Sequence, residues 1–319
     1  MIDKLVVVAI GGNSLIPDPR NPTVDRQWEA VRETCRHIAD MIADGWQVVV
    51  THGNGPQVGY IMNRSEIAKR EAGVHEVPLD LVVADTQGSI GYMLQQALDN
   101  SLRRVGMNHT VATIITQIRV DPDDPAFANP DKPVGGFLSE AEAREAVAEG
   151  WQVMEDAGRG WRRVVASPKP LVVNEINAIQ ALVLAGYIVV VCGGGGVPVV
   201  RNEYGSLRGI AAVIDKDRAS STLAQTLRAD LLLISTGVER VYLDFNTPQE
   251  RPIDTMTLQD ARRYLEEEHF ARGSMYPKIE AAIDFVHSGG PRAIITNPPN
   301  ITRALHRETG TQIIPGDAG

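Results

Sequence analysis

The chain has 319 residues, of which 43% are hydrophobic and 22% charged. That composition excludes disordered and fibrous classes, and the length allows about two domains at ~150 residues each. Thirty-one lysines and arginines stand against 40 acidic residues, a formal net charge of −9, which argues against a nucleic-acid binder, because such a protein carries a basic domain or stripe.

Leu5–Ile10 is an apolar run closed by Gly11-Gly12, the pattern of a strand buried on both faces. Trp28, Val31, Cys35, Ile38 and Ile42 recur at spacings of three and four, which predicts one helical face over about 25–43, stopped by Gly45. Residues 47–51 read as a second buried strand leading into His52-Gly53-Asn54-Gly55-Pro56. Helices are predicted over roughly 57–72 and 79–105, then a strand over 110–116. Strand and helix alternating at this spacing mean parallel pairing with helices on both faces.

The rhythm breaks over about 119–170, where prolines and acidic residues cluster and Gly135-Gly136 follows. Ser139 and Glu142 have capping-box spacing and predict a helix through about Ala148, and 161–165 reads as a small strand. A plain loop of ~50 residues is too long for a compact domain, so an inserted lid is expected; a purely structural excursion is the alternative. Alternation then resumes with helices over 174–185, 216–227, 258–270 and 278–288, and strands over 187–192, 231–235, 293–296 and 312–314. The fold expected is α/β: an open, mainly parallel central sheet with helices on both faces and a small inserted lid. The divisions are an N-terminal lobe at 1–117, the lid at 118–170 and a C-terminal lobe at 171–319.

Residues 176–200 carry no charge, but a helix, a buried strand and a loop explain them better than a span of ~20 apolar residues. Neither a membrane span nor a signal peptide is read, so a cytoplasmic location is expected. Cys35 and Cys192 stand far apart in apolar settings and are expected to be buried thiols.

Four glycine-containing loops follow strand ends: Gly11-Gly12-Asn13-Ser14, His52 to Pro56, Gly193 to Gly196, and Thr236-Gly237. In a parallel sheet they share the carboxyl edge, where open α/β folds bind ligands. Glycine lets backbone approach an anion, and helix N-termini offer free N–H groups, although any one such loop also suits plain turn geometry. Neither G-x-x-x-x-G-K-[ST] nor G-x-G-x-x-G is present, which excludes a P-loop and disfavours a Rossmann dehydrogenase; no zinc motif appears either. Lys132, Lys216 and Lys278 stand in unusual settings: between two prolines, at a helix start, and just after Pro277.

Ala9-Ile10-Gly11-Gly12-Asn13, Thr51 to Gly59, Val213-Ile214-Asp215-Lys216-Asp217, Gly273 to Lys278, and the insert segments 124–133 and 158–165 together resemble the carbamate kinases of the amino acid kinase family. The likeness runs from Lys4 to Ile314. It departs from the family's usual residues at Ser14, Gly136, Gly237 and Tyr276. The resemblance implies transfer of a phosphoryl group between ATP and carbamate, giving carbamoyl phosphate and ADP, with Mg²⁺ carried mainly by the nucleotide phosphates. It implies a homodimer acting in fermentative arginine catabolism in the ATP-forming direction. By matched positions, Gly11, Gly12 and Asn13 would hold phosphoryl oxygens and Gly53 and Asn54 the carbamate side. Lys216 and Lys278 would neutralise nucleotide phosphates, Asp217 would orient them, and Lys132 would enter from the lid. Gly194, Gly195, Tyr242 and Met275 would serve the nucleotide.

Such a transfer needs charge neutralisation and positioning rather than a base, so His52 is expected to be structural. The rivals are a family member phosphorylating another carboxylate, such as acetylglutamate, and a nucleotide-binding sensor without turnover.

Overall fold

The computed structural model describes residues 4–12, 15–16, 23–155 and 160–316. The first part of the chain runs β1 (Leu5–Ile10), α1 (Val24–Ala43), β2 (Gln47–His52), α2 (Gly55–Ala72), α3 (Leu79–Arg104) and β3 (Val111–Thr113). The insert contains β4 (Gln117–Arg119), β5 (Lys132–Leu138), α4 (Glu140–Ala148), β6 (Val153–Glu155), β7 (Trp161–Val165) and β8 (Val172–Val173). There follow α5 (Ile176–Leu184), β9 (Ile188–Val190), β10 (Val197–Arg201), β11 (Leu207–Gly209), α6 (Lys216–Leu227), β12 (Leu231–Ser235), β13 (Val241–Leu243) and β14 (Arg251–Ile253). The chain closes with β15 (Thr255–Thr257), α7 (Leu258–Glu266), α8 (Tyr276–His287), β16 (Ala293–Thr296), α9 (Ile301–Leu305) and β17 (Thr311–Ile314).

The central sheet has the order β15-β17-β16-β12-β1-β2-β9-β3, parallel throughout except where β16 meets β17. Its strands are apolar on both faces because both are covered. Val7 and Ala9 of β1 and Val49 of β2 pack with Leu223, Ile279 and Ile283 of α6 and α8. The alternate residues Val6, Val8, Val48 and Val50 pack with Val31, Ile38, Leu94 and Leu98 of α1 and α3. A strand's period of two places successive side chains on opposite faces, so one run of valines builds two cores.

The strand expected over 110–116 ends at Thr113. Residues beyond it leave the central sheet for a second one, ordered β11-β10-β4-β8. There β4 pairs with β10 and with β8, so the two ends of the insert meet. Strands of two to five residues carry too little alternation to be read beforehand. The insert itself is an antiparallel sheet, β5-β7-β6, with α4 beside it. The capping box at Ser139 and Glu142 forms as expected. Strand β5 was hidden by Pro133 and the Gly135-Gly136 pair; it is an edge strand, where a proline removes no needed donor, and its register shifts between Val134 and Leu138. It packs on α2, with Val134 and Val165 against Val58 and Met62. Residues 176–200 form a helix, a buried strand, a glycine turn and a second strand. Among the described residues no helix is long and apolar enough to cross a membrane. Cys35 and Cys192 are both buried and unbridged, and burial pushes both thiols far up.

Candidate active site

The loops after β1, β2, β9 and β12 do share the carboxyl edge of the sheet. A cleft of about 300 Å³ opens there beneath β5. Gly12, Gly53, Asn54 and Gly194 line one wall, and Lys216, Asp217 and Lys278 line the other with Asp215, while Lys132 reaches in from the insert.

The charged wall is built on two helix starts. Asp217, 2% exposed, places one carboxylate oxygen on the Lys216 ammonium and the other 3.1 Å from Lys278 Nζ. Lys278 Nζ also donates to the Ser274 carbonyl at 3.1 Å. Burial pushes the Lys216 ammonium below its ordinary range, opposed by Asp217 and reinforced by Lys278. Asp215 had been read only as part of the motif around Lys216, and the structure gives it a double role. One oxygen caps α6 by accepting from the Asp217 and Arg218 N–H groups at 2.9 and 3.4 Å. The other accepts from Lys132 Nζ at 2.9 Å. Burial alone would raise this carboxyl, but Lys132, Lys216 and Lys278 hold it well below the usual range. An aspartate just before a helix is a capping signal; its second duty depends on Lys132 and could not be read locally. The helix is tied to β2 through Thr51 and Ser220, whose hydroxyls lie 2.6 Å apart, and Ser220 bonds back to the Lys216 carbonyl at 2.6 Å.

The opposite wall carries no charge. Asn54 precedes α2 and is buried, its Nδ2 donating to the Thr86 hydroxyl at 2.9 Å. A Cβ at Gly194, where φ is +65°, would lie 2.0 Å from that Nδ2, so only glycine fits. His52 is fully buried below this wall, with Nδ1 3.0 Å from the Gly53 carbonyl. Burial is the main cause that lowers its pKa to about 4. It is a neutral, packed ring rather than a base in the cleft.

Several expected residues sit elsewhere. Gly11 is off the cleft lining: its N–H donates to the Ser235 carbonyl at 3.0 Å, and a Cβ there would lie 2.8 Å from the same oxygen. It serves close strand approach rather than anion binding. The Gly53 N–H is likewise spent, on the Ile10 carbonyl at 2.9 Å, so Gly53 contributes room rather than a donor. Gly195 turns away, its N–H on Cys192 and its Cβ position 2.2 Å from the Ile214 carbonyl. Tyr242 lies on β13 with its ring 5.9 Å from that of Phe245, away from the cleft lining. Met275 is half-buried against the main core, between the cleft residues Ser274 and Pro277. Asn13 and Ser14 lie outside the described residues.

Both cleft carboxylates already hold lysines or helix N–H groups, and among the described residues no cluster of three or more His, Cys, Asp or Glu side chains could hold a metal. Such a donor set fits a magnesium ion bound through phosphate oxygens and water rather than through a protein cage.

A parallel sheet bearing lysines at its carboxyl edge defines a phosphoryl-handling α/β protein, and the chain belongs to the amino acid kinase family, whose profile matches residues 4–297. Within it the chain is similar to carbamate kinase of Thermococcus kodakarensis, 47% identical over 313 residues that cover 98% of this chain and 99% of that protein. The carbamate kinase-like protein YahI of Escherichia coli is also 47% identical over 313 residues, with the same coverage of 98% and 99%. Carbamate kinase from Giardia lamblia bound to AMP-PNP superposes with a TM-score of 0.91 at 40% identity, covering 98% of this chain and 99% of that one. N-acetylglutamate synthase from Neisseria gonorrhoeae, at a TM-score of 0.60 and 14% identity, shares the fold alone.

Proposed function

We propose that the protein is a carbamate kinase, catalysing reversible phosphoryl transfer between ATP and carbamate. The observation that carries this reading is the cluster of Lys132, Lys216 and Lys278 on Asp215 and Asp217, facing a neutral wall of backbone and amide groups across one cleft. In the forward direction a carbamate oxygen attacks the γ-phosphorus, the new P–O bond forms in line with the breaking bond, and ADP leaves with the electron pair. Carbamate is already an anion, so no base is required, which agrees with a neutral, buried His52. Charge spreads over the transferred oxygens in a loose transition state, and prepositioned ammonium groups stabilise it. Lys216 and Lys278, oriented by Asp217, neutralise the phosphates with their remaining N–H donors; Mg²⁺ carried by the nucleotide would supply further neutralisation. Lys132 is 36% exposed and rides on the insert, so it is the lysine that can follow the substrate as β5 covers the cleft and excludes water.

In this reading residues 1–117 form the carbamate side, 118–170 the lid and 171–319 the nucleotide side, with Gly12, Asn13 and Asn54 near the transferred group. Met275, beside Ser274 at the mouth of α8, belongs to the nucleoside end. We place the enzyme in the cytoplasm, as a homodimer. The dimer is supported by β3, an edge strand of the central sheet among the described residues, with Ile115 exposed just after it and Tyr92 exposed on α3, which packs against it, since open edges and exposed apolar side chains favour burial.

The experiment is an ADP-release assay with ammonium bicarbonate, the source of carbamate, against N-acetylglutamate. Turnover with the first alone is expected. Activity only with N-acetylglutamate overturns the reading, and ATP binding without turnover on either returns the sensor.

A further inference from the structure

Carbamate and its phosphate differ from simple carboxylates and acyl phosphates in one respect: they carry an amino group whose nitrogen lone pair is delocalised, so it donates hydrogen bonds and does not accept them. The ammonium groups that line the cleft offer nothing to such a donor. The carboxylate oxygens of Asp215 and Asp217 are committed to lysines and helix N–H groups. The Asn54 side-chain oxygen is different.

Thr86 lies on α3, fully buried behind Asn54. Its hydroxyl is 2.7 Å from the Val83 carbonyl and 2.9 Å from Asn54 Nδ2. A carbonyl can only accept, so the hydroxyl proton is spent on Val83, and the Thr86 oxygen can then only accept. That requirement settles which end of the Asn54 amide faces Thr86: the NH₂ does, while the whole amide group, Oδ1 included, lies against the bare backbone of Gly194. No hydrogen bond from the described residues occupies Asn54 Oδ1, and Asn54 lines the cleft.

Resting on the carbamate reading above, we infer that Thr86 is a positioning residue that locks the Asn54 amide with its oxygen presented as the acceptor for the substrate's amino group, and that this pair distinguishes carbamoyl from other acyl phosphates. Without the lock, a half-turn of the amide would present an N–H to the amino group, donor against donor.

The test compares two nearly isosteric substrates in the ATP-forming direction: carbamoyl phosphate and acetyl phosphate, in which a methyl replaces the amino group. For each, kcat/KM is measured with ADP, or Ki against carbamoyl phosphate where acetyl phosphate is not turned over. Thr86→Val keeps the side chain's shape and deletes its acceptor; Thr86→Ser restores the hydroxyl. The preference for carbamoyl phosphate is expected to fall about tenfold in Thr86→Val, the scale of one hydrogen bond in a desolvated site, and to return in Thr86→Ser. Because the two substrates are compared on one preparation, partial loss of folded protein cancels. An unchanged preference in Thr86→Val, an equal loss on both substrates, or no recovery in Thr86→Ser overturns the inference. A wild-type protein that makes no ATP from carbamoyl phosphate fails the functional reading instead.

Discussion

On the α6–α8 wall of the cleft three ammonium groups are held by two carboxylates, Asp215 and Asp217; on the facing wall, Gly12, Asn54 and Gly194 carry no charge and are fixed by packing and neutral hydrogen bonds. The charged wall is preorganised by internal counter-ions. Asp217 and Asp215 keep the lysines near one another and nearly neutral, so the empty cleft does not have to hold three unpaired positive charges. An incoming nucleotide finds the donors already in place. The neutral wall achieves position by exclusion: glycine where an amide needs room, and an unprotonated His52 beneath. One wall therefore responds to charge and the other to shape and hydrogen-bond direction.

The largest break in this comparison is Asp217→Asn. It removes the shared partner of two nearly buried lysines, and turnover should fall about a thousandfold, on the scale of losing preorganised charge stabilisation. Stability should fall as well, by about 3–5 kcal/mol, since breaking a buried pair leaves an uncompensated charge. Steady-state kinetics with chemical denaturation check both, and turnover within tenfold of wild type would show that the lysines do not depend on Asp217. On the neutral wall the equivalent stress is acid. The His52 pKa is lowered to about 4 from an ordinary 6.5, so between those pH values the unfolded chain binds a proton that the folded one does not. Stability from this group is thus complete above about pH 6.5 and is lost as pH falls toward 4, in all about 3 kcal/mol at ~1.4 kcal/mol per unit. An NMR titration in which the His52 ring signal stays neutral down to about pH 5, with denaturation midpoints falling from pH 7 to 5, is the expected result; a ring titrating near 6.5 would sink it. Lys132→Ala comes next: a turnover loss of about a hundredfold, worth ~2.7 kcal/mol of transition-state stabilisation, with ADP affinity within about twofold. Unchanged turnover would remove the insert's lysine from the chemistry.

Much of the charged wall was legible beforehand because its residues are adjacent in the chain and mark helix starts: Lys216 and Asp217 open α6, and Pro277 with Lys278 opens α8. The apolar runs of β1, β2 and β12 were equally plain, since strands buried on both faces need no alternation to be recognised. What escaped is what depends on distant pairing. Asp215 meets Lys132 across 83 positions, and Thr86 looks like any polar residue within a helical pattern until Asn54 is placed against it. Gly11 was read as an anion-binding residue because a glycine after a strand has two uses; the Ser235 carbonyl shows that here it permits close approach. Tyr242 came from the family resemblance by matched position; its ring lies beside that of Phe245, on a three-residue strand, β13, too short to be seen in advance.

The smallest effect probes whether the charged wall needs more than Asp217. Arg218 Nε lies 2.7 Å from Glu280 Oε2, and both side chains are about a quarter exposed. The pair joins α6 one residue after Asp217 to α8 two residues after Lys278, so it acts on the spacing of the two helix starts that carry the lysines. Burial disfavours the Arg218 charge, and Glu280 more than offsets it. Arg218→Leu should cost about 1 kcal/mol of stability, because solvent screens a pair this accessible, and lower kcat by about threefold or less. It should also raise the proton affinity of Asp284, whose carboxyl is already pushed up by burial and by Glu280 and held back in part by Arg218. A double-mutant cycle with Glu280→Leu isolates the coupling. If kcat falls in each single variant and recovers in the charge-swapped pair Arg218→Glu with Glu280→Arg, the ion pair sets lysine spacing. A coupling near zero would leave Asp217 as the group that fixes the two helices, and the charged wall would then be as locally determined as Asn54 is by Thr86 and Gly194.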